Sequence, residues 1–111
     1  MEARAITRFV RLSPRKARLV ADLVRGKSAL EALDILEFTN KKAARVIKKT
    51  LASAVANATN NFKMDEDKLF VSTIMVNQGP VLKRVMPRAQ GRADIIRKPT
   101  AHVIVGVAEK E

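Results

Sequence analysis

The chain has 111 residues, with 22 Lys and Arg against 11 Asp and Glu, a formal net charge of +11, and close to half of its residues apolar. That length and composition allow one compact domain, exclude a disordered basic tail, and contain no apolar run approaching the ~18 residues of a membrane span. With no Cys, Tyr or Trp and a single imidazole, His102, the chain has no means to build a disulfide, a thiolate metal site, or a Cys–His or multi-His catalytic arrangement.

Residues 3–11 carry β-branched residues in a strand pattern, with Arg4, Ile6, Arg8 and Val10 on one face. Residues 1–11 lack the apolar h-region and small-residue cleavage site of a signal peptide, so a cytosolic location is expected. Ser13-Pro14 predicts an N-cap followed by Pro at the first position of a helix that runs to Arg25, where Gly26 supplies a left-handed cap. Leu19, Val20, Leu23 and Val24 are expected to form its apolar stripe, opposite a mostly cationic face of Arg15, Arg18, Asp22 and Arg25. Ser28 and Glu31 match a capping box that opens a short second helix with Leu30, Leu33, Ile35 and Leu36 as core candidates. Thr39 or Asn40 then caps a third helix from Lys41 to about Asn60. Ala44, Ile47, Leu51, Val55 and Ala58 line one stripe of that helix, and Lys42, Arg45 and Lys49 line another.

A short helix, a turn and a longer helix make a DNA-binding protein the alternative reading. The start of the longer helix offers mainly Lys and Ala, which are poor readers of base edges, and this disfavours it. Asp65-Glu66-Asp67 has no Gly-centred calcium loop and reads as a solvated turn. Residues 69–76 and 100–108 form strands expected to pair antiparallel, the second with Val103, Val105 and Val107 on one face and His102 at an ordinary strand position. The phosphate-cradling motifs G-x-x-x-x-G-K-[ST] and G-x-G-x-x-G do not occur. No enzymatic activity, metal or cofactor is expected.

Residues 79–99, between those two strands, hold three of the four prolines and are too apolar for a solvated linker. If the flanking strands continue outward, the segment becomes a hairpin arm of about ten residues per leg, with Arg84, Arg88, Arg92 and Arg97 spaced to meet phosphates and Gly91 allowing a turn near the tip. Such a ribbon has no core of its own and needs a partner to order it. The net charge is concentrated in the same way. Residues 1–28 carry +6 and residues 79–100 carry +5, and these two segments hold ten of the 11 arginines. Guanidinium forks grip phosphate oxygens in bidentate fashion, so the partition favours a phosphate polymer. Phe9, Phe38, Phe62 and Phe70 lie outside the arm at expected core positions, which favours structured RNA, read by shape and backbone, over a single strand stacked on exposed aromatics.

Several runs of residues match a known pattern: Ser13-Pro14-Arg15-Lys16, the segment from Leu19 to Lys27, Ala32-Leu33-Asp34-Ile35-Leu36, Thr39-Asn40-Lys41-Lys42-Ala43-Ala44, and in the arm Gly79-Pro80, Lys83-Arg84, Pro87-Arg88-Ala89 and Gly91-Arg92-Ala93. On these motifs the chain closely resembles the bacterial large-subunit ribosomal protein L twenty-two family from Arg4 to about Val107. The resemblance implies a single RNA-binding domain over 1–111, of α+β class, in which a small three-stranded antiparallel sheet packs with three helices and a long hairpin arm (79–99) protrudes. It implies a cytoplasmic, non-enzymatic constituent of the large ribosomal subunit that binds ribosomal RNA and neighbouring ribosomal proteins, supports assembly, and meets the nascent polypeptide at the wall of the exit tunnel; free, it would be a monomer. By position, Arg8, Arg11, Arg15, Lys16 and Arg18 would hold RNA on the domain, and Lys83, Arg84, Arg88, Arg92, Arg97 and Lys98 along the arm. Met86, Pro87, Arg88, Ala89, Gln90 and Gly91 would form the tunnel-lining tip. Pro99 removes a backbone donor at the base of the arm, which leaves open how the legs pair there.

Overall fold

Alternating valines on the last strand decide where the core lies. A computed structural model describes residues 2–87 and 93–109, and over 82–87 and 93–98 the backbone alone. Its elements are β1 (Glu2–Val10), α1 (Pro14–Val24), α2 (Ala29–Phe38), α3 (Lys42–Asn61), a short 3-10 turn (Glu66–Lys68), β2 (Leu69–Gln78), β3 (Leu82–Pro87), β4 (Ala93–Lys98) and β5 (Ala101–Glu109). β2 and β5 pair antiparallel, as the patterning of residues 69–76 and 100–108 predicts, and β5 is the central strand of a sheet ordered β1-β5-β2. The fold is α+β. Val103, Val105 and Val107 turn inward with Ala3, Leu69, Val71, Ile74 and Val76, and the three helices cover this face. α3 contributes Ala44, Ile47, Leu51, Val55 and Ala58, the expected stripe, all buried.

α1 differs from expectation. Ala17, Val20, Ala21 and Val24 are buried, whereas Leu19 and Leu23 face outward, Leu19 with 68% of its surface exposed. Residues 19 and 20 lie about 100° apart on a helix, so the two pairs cannot share one stripe, and the small alanines let α1 sit close to its neighbours. α2 follows its capping box, Ser28 Oγ accepting from the Glu31 N–H at 3.3 Å. It buries Ala29, Ala32 and Leu36 and leaves Leu30 exposed. Neither Thr39 nor Asn40 caps α3. Lys41 occupies the N-cap position, and the Thr39 hydroxyl donates back to the Ile35 carbonyl at 2.6 Å, closing α2.

The phenylalanines also depart from expectation. Phe9, Phe38 and Phe62 are exposed, Phe38 by 85%. Each stands where periodic packing has ended: in an irregularity of β1, at the last residue of α2, and just after α3.

α1 and the loop that follows it lie along the outer margin of β2 and supply partners for its backbone. Gly26 N–H donates to the Val71 carbonyl, Val71 N–H donates to the Lys27 carbonyl, and beyond them Arg25 Nη1 and Arg18 Nε donate to the carbonyls of Ile74 and Val76 at 2.9 and 3.0 Å. Gly26, at φ +77°, makes the reversal that brings this loop onto the strand. On β1, the Asn57 amide donates to the Arg4 carbonyl at 3.0 Å.

The arm is not a continuation of the domain sheet. The β2–β5 ladder ends at Gln78–Ala101, and a separate two-stranded ladder, β3–β4, runs from Leu82–Lys98 to Pro87–Ala93. Three residues on the first leg face two on the second, and Pro80 and Pro99 have no donors with which to bridge them. Thr100 makes the joint instead. Its carbonyl accepts the Gly79 N–H at 2.9 Å and its buried hydroxyl donates to the Pro80 carbonyl. A Cβ on Gly79 would stand 2.6 Å from that hydroxyl, so the joint requires glycine. The radius of gyration, 17.1 Å, exceeds the ~13 Å of a compact domain of this length, as an extended arm requires.

Candidate nucleic-acid interface

The N-terminal cations occupy a continuous run of surface from the outer face of the sheet to the start of α1. Arg4 and Arg8 project from the face of β1 opposite the helices, Arg11 follows in the turn, and Arg15 and Lys16 stand on the first turn of α1; all are exposed. Arg18 is exposed as well, although its Nε is engaged with Val76. Among the described residues the ion pairs are Arg4–Glu2, Arg25–Asp22 and Lys48–Glu37. Arg8, Arg11, Arg15 and Lys16 therefore have no carboxylate partner within that set.

The start of α1 adjoins the start of α3. Leu12, Ser13, Lys16, Lys41, Lys42 and Ala43 line a cavity of about 290 Å³ between them, where Lys42 Nζ donates to the Arg11 carbonyl at 2.9 Å. Neither helix has a side-chain cap or an acid in its first turn. Two positive helix ends and three ammonium groups thus converge, raising the local potential for an anion. Nothing in the sequence marks Lys41 and Lys42 as contacts, because only folding brings residues 41–42 beside residue 16.

The acid on the outer sheet face is neutralised in place. The Glu2 carboxylate lies across Gly106, where a Cβ would come within 2.7 Å of it, and accepts from Ser72, Thr73 and Arg4. Hydrogen bonds from Ser72, then Arg4 and Thr73, hold its pKa down to about 2 from 4.5. A depressed carboxylate contributes stability above its unfolded pKa, and that contribution is lost as pH falls through the folded one. Glu2→Gln is expected to cost about 1–2 kcal/mol at pH 7, after allowance for partial exposure. In urea titrations the gap between variant and wild type should narrow as pH falls from 4.5 toward 2; a gap independent of pH would rule the assignment out.

In the arm, backbone register sets Lys83 opposite Arg97 and Leu82 opposite Lys98. Like charges directly opposed destabilise an antiparallel pair unless an anion lies between or beside them. The assignments at Arg84, Met86 and Pro87 fall on β3, and those at Arg97 and Lys98 on β4. The assignments at Arg88, Ala89, Gln90, Gly91 and Arg92 lie outside the described residues. No helix among the described residues is long and apolar enough to cross a membrane, and none of their His, Asp and Glu side chains gather in a group of three or more able to hold a metal.

The chain is similar to known proteins along its whole length. It is 89% identical over 111 residues, covering all of both chains, to the large ribosomal subunit protein uL22 of Fusobacterium nucleatum. It is 59% identical over 110 residues to uL22 of Thermus thermophilus, covering 99% of this chain and 97% of that one, and 57% identical over the full length of both to uL22 of a Thermoanaerobacter species. A family model described as ribosomal protein L22p/L17e matches residues 5–108. With the three helices, the hairpin and nearly all of the two basic segments inside that match, the chain belongs to the ribosomal protein L22p/L17e family.

Proposed function

We propose that the protein is a non-enzymatic structural constituent of the large ribosomal subunit, cytoplasmic with it, held by ribosomal RNA and contacting neighbouring ribosomal proteins. The observation that carries this reading, beside family membership, is the run of exposed cations at Arg8, Arg11, Arg15 and Lys16 that has no acidic partner among the described residues. Unpartnered arginines on a folded surface are satisfied by phosphate oxygens, and each phosphate neutralised releases a counterion.

In this reading Arg18 joins them through guanidinium nitrogens other than the Nε held by Val76, and Lys41 and Lys42 extend the surface at the meeting of α1 and α3. The arm, residues 79–99, is a second RNA contact through Lys83, Arg84, Arg88, Arg92, Arg97 and Lys98. Met86, Pro87, Arg88, Ala89, Gln90 and Gly91 form its tip at the wall of the nascent-chain tunnel. The opposed cations Lys83 and Arg97 support an anionic lining around the ladder. The free chain is a monomer whose domain is folded and whose arm is completed by RNA.

Sucrose-gradient sedimentation of cell extract tests the assignment. The protein should travel with large subunits after a moderate salt wash, and its absence from them would overturn the reading.

A further inference from the structure

The outer face of the sheet holds a feature that phosphate binding does not use. β1 and β5 shift register between Thr7 and Val10, and in that irregularity Phe9 adopts φ +56°, a left-handed conformation that such positions ordinarily give to glycine. The Phe9 N–H donates to His102 Nδ1 at 3.1 Å, and its ring stands at 86° to the imidazole with centroids 4.9 Å apart. Yet the side chain is 62% exposed, so core packing does not account for an aromatic residue at a strained position.

Around it, Ile6 and Ile104 pair across the sheet, and with Arg8, Asn77 and His102 they line a hollow of about 200 Å³. That is smaller than the ~300–1,000 Å³ of clefts for small-molecule ligands. Its chemistry is an apolar floor, the Phe9 ring, an imidazole whose Nδ1 already accepts the Phe9 N–H, one amide and one guanidinium. Glu2, the acid on this face, is occupied by Arg4, Ser72 and Thr73, which leaves Arg8 to set the potential over the hollow. A nucleotide matches each part: a π face for the ring and the floor, a polar base edge for the amide, and a phosphate for the guanidinium.

We propose that this hollow receives a single unpaired base of RNA, stacked on Phe9, with Asn77 at the base edge and Arg8 on a flanking phosphate. The inference rests on the RNA-binding reading above and adds a base-stacking site to a surface otherwise argued from charge alone. It also reverses the sequence expectation that the phenylalanines are withheld from the interface.

Phe9→Gly separates the two roles. Glycine relieves the left-handed strain, so the urea midpoint of the full chain should hold or rise. Affinity for a full-length large-subunit ribosomal RNA transcript should fall about ten-fold, the scale of one lost base stack. Ultraviolet crosslinking of the unaltered chain to the same transcript, read by mass spectrometry, should place a nucleotide on the peptide that contains Phe9. Wild-type affinity in Phe9→Gly, or crosslinks elsewhere with none at that peptide, would overturn the stacking site and leave the RNA reading intact. Failure of the unaltered chain to bind the transcript would overturn the RNA reading itself. A variant that binds the transcript normally but fails to enter the subunit would give the hollow to a neighbouring protein, and so would also overturn the proposal. Should the glycine variant not fold, the crosslink on the unaltered chain decides the matter.

Discussion

Replacing Arg8, Arg11, Arg15 and Lys16 together by alanine should lower affinity for large-subunit ribosomal RNA by two to three orders of magnitude near ~0.15 M salt. All four are exposed, and none of their side chains takes part in a hydrogen bond or ion pair among the described residues. Each substitution should therefore change stability by no more than about 0.5 kcal/mol. The loss should come from the phosphates. A cation that neutralises one duplex phosphate contributes about 0.9 to the slope of log affinity against log salt, so four of them should flatten that slope by roughly three to four. Affinity measured by filter binding across a salt series checks both numbers. Weaker binding with an unchanged slope would mean that the four side chains act on something other than phosphate. Arg18→Ala is a poorer probe of the interface, because it also removes the donor on the Val76 carbonyl.

Leu51→Ala should destabilise the domain by about 3 kcal/mol, within the 2–5 kcal/mol of buried Leu truncations. Leu51 is fully buried on α3, the helix that packs against β1, β5, α1 and α2. No other element could shift to close the cavity without losing contacts elsewhere. Domains of this size are stable by about 5–15 kcal/mol, so this one change takes a large share of the total. Leu19→Ala serves as the control. At 68% exposure it should cost less than about 0.5 kcal/mol, although periodicity in the sequence ranks the two leucines alike. Equal urea midpoint shifts for the two variants would contradict the packing of α1.

The contrast between those leucines shows what was legible in the sequence. Large apolar residues at a clean spacing told the truth on α3, from Ala44 to Ala58, and on β5, from Val103 to Val107, where no competing stripe exists. On α1 two apolar stripes compete, and the winner is marked by Ala17 and Ala21, residues too small to stand out in a hydrophobic pattern. The antiparallel pairing of β2 with β5 could be foreseen from their apolar faces and the arm between them, whereas the placing of β5 between β1 and β2 could not. The break at the base of the arm was signalled by Pro99, but the solution was not, since it depends on a Thr100 hydroxyl reaching a carbonyl on the other leg. The charged segments were legible as segments. Their division of labour was not, because nothing in composition distinguishes Arg8, without a partner among the described residues, from Arg18 and Arg25, which complete the hydrogen bonding of a strand.

That division bears on the interval between synthesis and incorporation, when the chain has no RNA around it. Open strands invite copies of a protein to polymerise, and the inward-reaching arginines on Ile74 and Val76, with the loop on Val71, close that route along β2. That leaves as open margins, among the described residues, β1, on which the Asn57 amide takes the Arg4 carbonyl, and the two sides of the β3–β4 ribbon. On the ribbon the opposed Lys83 and Arg97 act as gatekeepers, since a second ribbon added beside the first would bring more positive charge against them. The cations proposed to hold the arm to its polyanion would thus also keep it from zippering with its own kind before it is bound.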